Sequence, residues 1–174
     1  GLVGSNAGIL TACYASGAVN GTGYGNGGVG GLAGRHDGGT ISKCYSKGNV
    51  ASGPNTFYVG GMTGVNNGTI SNCCSTGNVT SGLNSGYIGG LIGANTSTLT
   101  GCFWDTQTSG QTTSAGGTGK TTAEMNIPAT FTLAGWDFTN VWGIIQNQTY
   151  PYLQTRPSAD LNGDNIVNLA DFVI

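Results

Sequence analysis

Oxygen-bearing side chains near the end of the chain have a spacing that suits a hard cation. They stand at positions 1, 3, 5, 9 and 12 of a twelve-residue loop, and position 7 would supply a backbone carbonyl: Asp160, Asn162, Asp164, Asn168 and Asp171, with Ile166 at position 7. Calcium is bound by several oxygens that converge from one tight loop. The sequence therefore predicts a calcium site over residues 160–171, with the spacing of an EF-hand loop.

Two positions of this loop depart from the usual calcium pattern. Position 6 is Asn165 where a glycine is usual, although asparagine adopts positive φ more readily than most residues. Position 12 is Asp171 where glutamate is usual. We expect a partial, EF-hand-like loop rather than a complete EF-hand.

Two other stretches could carry chemistry, and we interpret both as structural. Arg35, His36 and Asp37 could suggest acid–base catalysis, but they stand where the other repeats have polar turn residues, so we expect a solvated turn there. Residues 116–122 resemble a glycine-rich phosphate loop, yet no apolar strand precedes them and Pro128 limits any following helix. We expect neither catalysis nor nucleotide binding there.

The cysteines follow the internal repeat of the chain. Four of the five occupy one repeat position, and the fifth is Cys74: Cys13, Cys44, Cys73 and Cys102. In-register side chains point the same way, so we expect a buried ladder of free thiols, with disulfides between adjacent coils as the alternative. Zinc binding is disfavoured, because His36 is the sole histidine and no Cys-x-x-Cys pair occurs.

The elements that position these residues come from a repeat of about thirty residues. A Gly-x-x-Gly landmark begins at residues 1, 31, 61 and 90. Apolar residues recur in step with it at several positions: Leu10, Ile41, Ile70 and Leu99; Val19, Val50 and Val79; Val29, Val59 and Ile88. Units of this kind bury their apolar residues only by stacking on one another.

The repeat predicts an all-β protein, a parallel β-solenoid (β-helix) of about three 30-residue coils. Between Cys44 and Val50 the inward positions alternate as in a strand, whereas the odd spacing from Ile41 to Cys44 indicates a bend. We favour a right-handed coil. Two shorter rungs in each unit are the alternative.

Four segments follow from this reading. Residues 1–102 form the coils, and 51–57 and 80–86 are their projecting loops. Residues 103–154 break the period, contain all three tryptophans and form an aromatic-rich C-terminal cap, with a platform for sugar rings as the alternative. Residues 155–159 are a linker, and residues 160–174 hold the calcium loop.

Composition excludes several function classes. Charged residues make up 7% of the chain and the net charge is −2, so we expect no nucleic-acid binding. No apolar run is long enough for a membrane-spanning helix, so we expect no membrane insertion.

The repeat Gly-Gly-Leu-x-Gly followed by Gly-Thr-Ile-Ser-x-Cys-Tyr-Ser-x-Gly-Asn-Val resembles the GLUG repeat of large bacterial surface and secreted proteins. The segment from Cys102 to Leu153 resembles the tail that often ends such arrays. The resemblance implies an extracellular or cell-surface, non-catalytic protein that works in adhesion, display or spacing, with a glycan or host-surface ligand.

Residues 160–171 resemble the first calcium loop of a type I dockerin, in which the last ligand is aspartate, as here. The resemblance implies calcium as cofactor and a cohesin module as the partner of a complete dockerin. The helix and second loop of a dockerin are not present before Ile174, the last residue. The alternative function is an ancillary region of a secreted enzyme of polysaccharide breakdown, whose catalytic module lies outside this sequence.

Overall fold

The computed structural model describes residues 1–21 and 25–154. The first coil contains β1 (Val3–Asn6), β2 (Ile9–Thr11), β3 (Tyr14–Ala15), β4 (Val19–Gly21) and β5 (Gly25–Gly30). The second contains β6 (Ala33–His36), β7 (Thr40–Ser42), β8 (Tyr45–Ser46), β9 (Val50–Ser52) and β10 (Thr56–Gly60). The third contains β11 (Thr63–Asn66), β12 (Thr69–Ser71), β13 (Cys74–Ser75), β14 (Val79–Ser81) and β15 (Ile88–Gly89).

A fourth, incomplete turn and a cap follow. The turn begins with β16 (Ile92–Asn95), β17 (Leu99–Thr100) and β18 (Phe103–Asp105). The chain then forms α1 (Thr106–Ser109), β19 (Thr118–Lys120), α2 (Thr122–Met125), α3 (Pro128–Thr132), β20 (Trp142–Gly143) and β21 (Tyr152–Leu153).

Each strand pairs in parallel with its counterpart in the next coil. The resulting sheets run β1-β6-β11-β16, β2-β7-β12-β17, β3-β8-β13-β18-β19, β4-β9-β14 and β5-β10-β15. Ile41 pairs with Leu10 on one side and with Ile70 on the other. The β-solenoid prediction is therefore confirmed, and the alternative of two rungs in each repeat is wrong for the three full coils.

The predicted bend before each cysteine has a backbone cause. The residue preceding the cysteine has a left-handed conformation in every coil: Ala12 (φ 50°), Lys43 (φ 54°), Asn72 (φ 51°) and Gly101 (φ 59°). A single left-handed residue turns the chain sharply, so β2-type strands and β3-type strands form different sides of the coil.

Two apolar columns fill the interior. One contains the leucine, isoleucine and cysteine positions, among them the fully buried Leu32, Ile41, Met62, Ile70 and Leu91. The other contains the valines, among them Val50, Val59 and Val79. Stacking at about 4.8 Å per coil buries residues that no single repeat could bury.

The column ends beneath Trp104 and a shortened last turn. Trp104 pairs in register with Ser75, and its side chain packs into the column where the second and third coils have serine. Phe103 pairs with Thr118, so the chain returns to the same sheet after about half a repeat. It thereby crosses the end of the column instead of encircling it.

Glycines make this crossing possible. Gly117 has φ +85°, and a Cβ added there would lie 2.7 Å from Cδ2 of Leu91. A Cβ added at Gly116 would lie 3.1 Å from Cδ2 of Leu99. The backbone therefore lies directly on the last apolar layer, and it closes the end of the core.

The predicted domain boundaries stay a prediction, although one sheet crosses the expected boundary at residue 102. β18 and β19 extend the sheet of β3, β8 and β13 into the aromatic segment. A second core forms there, in which Phe103, Phe131, Trp136 and Trp142 pack against Cys74. The aromatic segment thus packs on the side of the solenoid as well as on its end.

Candidate functional site

The predicted calcium loop lies outside the described residues, so it stays a prediction. Its ligands are Asp160, Asn162, Asp164, Ile166, Asn168 and Asp171. Within residues 1–21 and 25–154, histidine, cysteine and carboxylate side chains form no group of three or more that could hold a metal ion.

The solvated turn expected at residues 35–37 is confirmed for the exposed Asp37 and is wrong for His36, whose side chain faces the interior. The His36 ring is fully buried, and its Nδ1 lies 3.1 Å from Nδ2 of Asn6. The Asp37 carboxylate accepts hydrogen bonds from Arg35 (2.7 Å) and from Ser5 (2.9 Å). The Arg35 guanidinium holds the pKa of Asp37 below its usual value. These contacts are those of a structural turn.

His36 replaces an asparagine in a ladder. It lies in register with Asn6 and Asn66, and Asn66 lies in register with Asn95. Each asparagine closes its own turn; Oδ1 of Asn66, for example, accepts a hydrogen bond from the backbone N–H of Gly68. His36 leaves Nε2 buried without a hydrogen-bond partner.

The glycine-rich stretch at 116–122 is part of the cap. Beyond the glycines that cross the column, Nζ of Lys120 donates to the Glu124 carboxylate at 3.1 Å. Thr121 caps the four-residue helix α2. A phosphate loop would need this lysine and the start of this helix to face a phosphate. Here both make hydrogen bonds within the cap.

The cysteine ladder is confirmed as a set of free thiols. The backbone N–H of Cys44 donates to Sγ of Cys73 at 3.3 Å, so the two side chains are stacked. Burial raises the pKa of Cys73 well above its usual value. A thiol that stays protonated is a poor nucleophile, so Cys73 fills space in the column.

The tryptophans do not form the alternative aromatic platform for sugar rings. Trp104, Trp136 and Trp142 are 6%, 4% and 1% exposed. Their ring faces are covered by the two cores, because the cap needs large apolar side chains to close the solenoid.

The aromatic surface that remains accessible belongs to tyrosines. A cavity of about 260 Å³ lies between β8 and the segment before β21. Its lining includes Tyr45 and Lys47 from the coils, and Tyr150, Pro151 and Tyr152 from the cap. We call it the tyrosine pocket. Sequence reasoning missed it, because nothing in the repeat indicates where the cap folds back onto the coils.

The tyrosine pocket exists because one repeat has a small residue in an aromatic row. Tyr14, Tyr45, Cys74 and Phe103 lie in register on the outer face of one sheet. Cys74 interrupts the row of rings and contributes to the lining of the cavity. This aromatic row could be predicted from the sequence, since Cys74 stands where two other repeats have tyrosine.

The side walls of the pocket are held firmly. Tyr45 stacks on Tyr14 with ring centroids 5.0 Å apart and planes 7° apart. Tyr152 pairs with Gly143 in an antiparallel ladder, and its ring occupies the space above that glycine. The Tyr150 hydroxyl donates to the buried Asp105 carboxylate at 2.7 Å. These contacts hold the Tyr45, Tyr150 and Tyr152 side chains in place.

Lys47 is the one charged residue in the lining of the tyrosine pocket, and the Asp105 carboxylate lies behind Tyr150. Lys47 is exposed, and it forms no ion pair with any residue in the described part of the chain. Burial raises the pKa of Tyr45, so its hydroxyl stays neutral near pH 7. Asp105 accepts four hydrogen bonds, from the backbone N–H groups of Gln107 and Thr108 and from two hydroxyls.

Comparisons with known proteins agree with the repeat. Residues 25–51 match the model of the GLUG motif. A protein of Evansella cellulosilytica named "Putative Gly-rich membrane protein" is 44% identical over 50 residues, which are 29% of this chain and 6% of that protein. The chain thus spans a small part of this relative. No solved structure matches.

The length and apolar character of the described helices show whether any of them could cross a membrane. None of the helices within residues 1–21 and 25–154 has the length and apolar character needed to cross a membrane. The GLUG match and the solenoid fit a non-catalytic repeat protein.

Proposed function

We propose that this chain is an extracellular or cell-surface segment of a bacterial protein, and that it works in adhesion, display or spacing rather than in catalysis. The observation that carries the proposal is the continuous register of the stack through β16 and β18. Each coil adds about 4.8 Å of rigid length through hydrogen bonds between parallel strands. The GLUG match over residues 25–51 supports the same role.

Surface exposure of the full protein in its own host tests this role. An antibody raised against residues 1–154 should label intact cells as strongly as permeabilised cells. Labelling that requires permeabilisation would refute the extracellular part of the proposal. A cytoplasmic marker protein, labelled only after permeabilisation, controls for cell lysis.

The proposed role includes a calcium-binding loop of the dockerin type at residues 160–171. Its support is the spacing of six ligand positions: Asp160, Asn162, Asp164, Ile166, Asn168 and Asp171. A complete dockerin would offer a cohesin module a docking surface, and this loop is the first half of one.

Calorimetric titration of the whole chain with calcium tests the loop. Asp160→Ala and Asp164→Ala should each abolish the heat of binding, because each removes a charged ligand from the first turn of the loop. Asp137→Ala is the matched control, since Asp137 lies in the cap. Heats unchanged by Asp160→Ala and Asp164→Ala would contradict the site.

A further inference from the structure

We infer that the tyrosine pocket binds one carboxylate-bearing sugar residue of an acidic polysaccharide. The sugar would lie with its C–H face against Tyr45 and with its carboxylate towards Lys47. The inference rests on the adhesion role proposed above and gives that role a ligand class and a site.

The size of the pocket limits its ligand. A volume of about 260 Å³ lies just below the range of about 300–1,000 Å³ that drug-sized ligands occupy. One six-membered sugar ring suits such a space, whereas a folded peptide segment does not. The mouth is open to solvent beside the exposed Tyr152, so the neighbouring sugars of a chain can continue outside.

The walls of the pocket suit a sugar ring. The face of an aromatic ring carries partial negative charge, and the C–H bonds on one side of a pyranose carry partial positive charge. Tyr14 holds the Tyr45 ring on its far side, and Tyr45 also contacts Trp142 with centroids 6.2 Å apart. A ring fixed before binding loses little entropy on binding, and this raises affinity.

The charge of the pocket selects an acidic sugar over a neutral one. Lys47 is the cation of the lining, and burial raises the pKa of the Tyr45 and Tyr150 hydroxyls, which therefore stay neutral near pH 7. A carboxylate that accepts from an ammonium forms a stronger hydrogen bond than a neutral hydroxyl does. The hydroxyls of Thr76 and Thr149, which also line the pocket, can bond the ring hydroxyls of the sugar.

Titration calorimetry with matched oligosaccharides tests the inference. The probes are oligogalacturonate and alginate oligomers as acidic ligands, and galactose oligomers of equal length as neutral ones. The whole chain should bind at least one acidic probe about tenfold more tightly than the neutral probe, the gain expected from one charge-assisted hydrogen bond. Lys47→Met should remove that preference, and Tyr45→Ala should weaken binding of the acidic probe.

The control is a second pair of stacked tyrosines on another sheet. Tyr58 and Tyr87 stack with centroids 5.4 Å apart, and Tyr87 is exposed. Tyr87→Ala therefore removes an accessible ring and leaves the tyrosine pocket intact, so its affinity should equal that of the wild type.

Three results would overturn the inference. They are no binding of either acidic probe by the folded chain, equal affinity for acidic and neutral probes, and an acid preference that survives Lys47→Met. Circular dichroism of each variant shows whether the solenoid is folded. None of these results bears on surface labelling of intact cells, so the inference and the proposed function fail separately.

Discussion

Replacing Ile70 by alanine tests the stacked column in its most tightly packed part. Ile70 is fully buried, with Ile41 and Leu99 in register on the two adjacent coils. Isoleucine-to-alanine changes in packed cores cost about 2–5 kcal/mol, and the cost rises with the cavity that remains. Hydrogen bonds between parallel strands hold both neighbours, so the cavity cannot collapse. We therefore expect a loss in the upper half of that range.

Replacing the equivalent residue of the first coil by alanine gives a loss of stability to compare with that of Ile70→Ala. Leu10 occupies the equivalent position, but it is only half-buried and has Ile41 as its single neighbour in the column. Full burial of a leucine is worth about 1.5–3 kcal/mol, so Leu10→Ala should cost about 1 kcal/mol. Ile70→Val, which leaves a smaller cavity, should cost about 0.5–1.5 kcal/mol.

Urea unfolding followed by circular dichroism measures all three variants. The free energy of unfolding is extrapolated to water, and an unchanged m-value shows that the unfolded state is comparable. Equal losses for Ile70→Ala and Leu10→Ala would refute the reasoning, because they would mean that Ile70 is not enclosed by coils on both sides.

Three further changes test local features. His36→Asn should stabilise the protein by about 1 kcal/mol, because it removes a buried nitrogen without a partner and restores the asparagine ladder; an unchanged or lower melting temperature would contradict this. Gly117→Ala should cost at least about 1–2 kcal/mol at its φ of +85°, whereas Gly17→Ala, with nothing within 4 Å, should cost far less. Hydrogen bonds from the backbone and hydroxyl of Thr121 lower the pKa of Glu124 from 4.5 to about 2. Because the folded-state pKa is the lower one, this contribution to stability is present above pH 4.5 and is lost as the pH falls towards 2. Glu124→Gln should therefore flatten the acid side of a stability–pH curve measured by urea unfolding. The effect is small because the Glu124 side chain is 44% exposed, and an unchanged slope would contradict its role.

The coils could be predicted from the sequence because stacking requires an apolar residue at the same position of every repeat. Ile41, Ile70 and their counterparts recur as apolar residues, since each must fill the same layer of the column. The bend before Cys44 could also be predicted, because the change of spacing parity requires one left-handed residue.

The end of the stack was harder to predict. The loss of the period after residue 102 predicts one aromatic cap for all three tryptophans, but Trp104 still follows the repeat and points inward at the position of Ser46 and Ser75. The repeat thus continues two residues past Cys102, to Trp104. The tyrosine pocket could not have been found in this way, since its far wall, Thr149–Tyr152, has no repeat to fix its position.

The tryptophans lie in the interior of this molecule and the tyrosines lie nearer its surface. The physical reason is the polar hydroxyl at the tip of the tyrosine ring. A cap must cover the cross-section of the column with few residues, and tryptophan buries the largest area, so Trp104, Trp136 and Trp142 are used internally. Tyrosine carries a hydroxyl that prefers water or a hydrogen-bond partner, so Tyr14 and Tyr152 stay at the surface, 53% and 40% exposed. Because the tyrosine hydroxyls stay near water, ring faces and hydroxyl groups lie side by side at the pocket mouth. A sugar likewise has C–H faces beside hydroxyl groups, so the two surfaces would be complementary. Closing the end of the solenoid and forming the proposed sugar site thus use different aromatic residues in one fold.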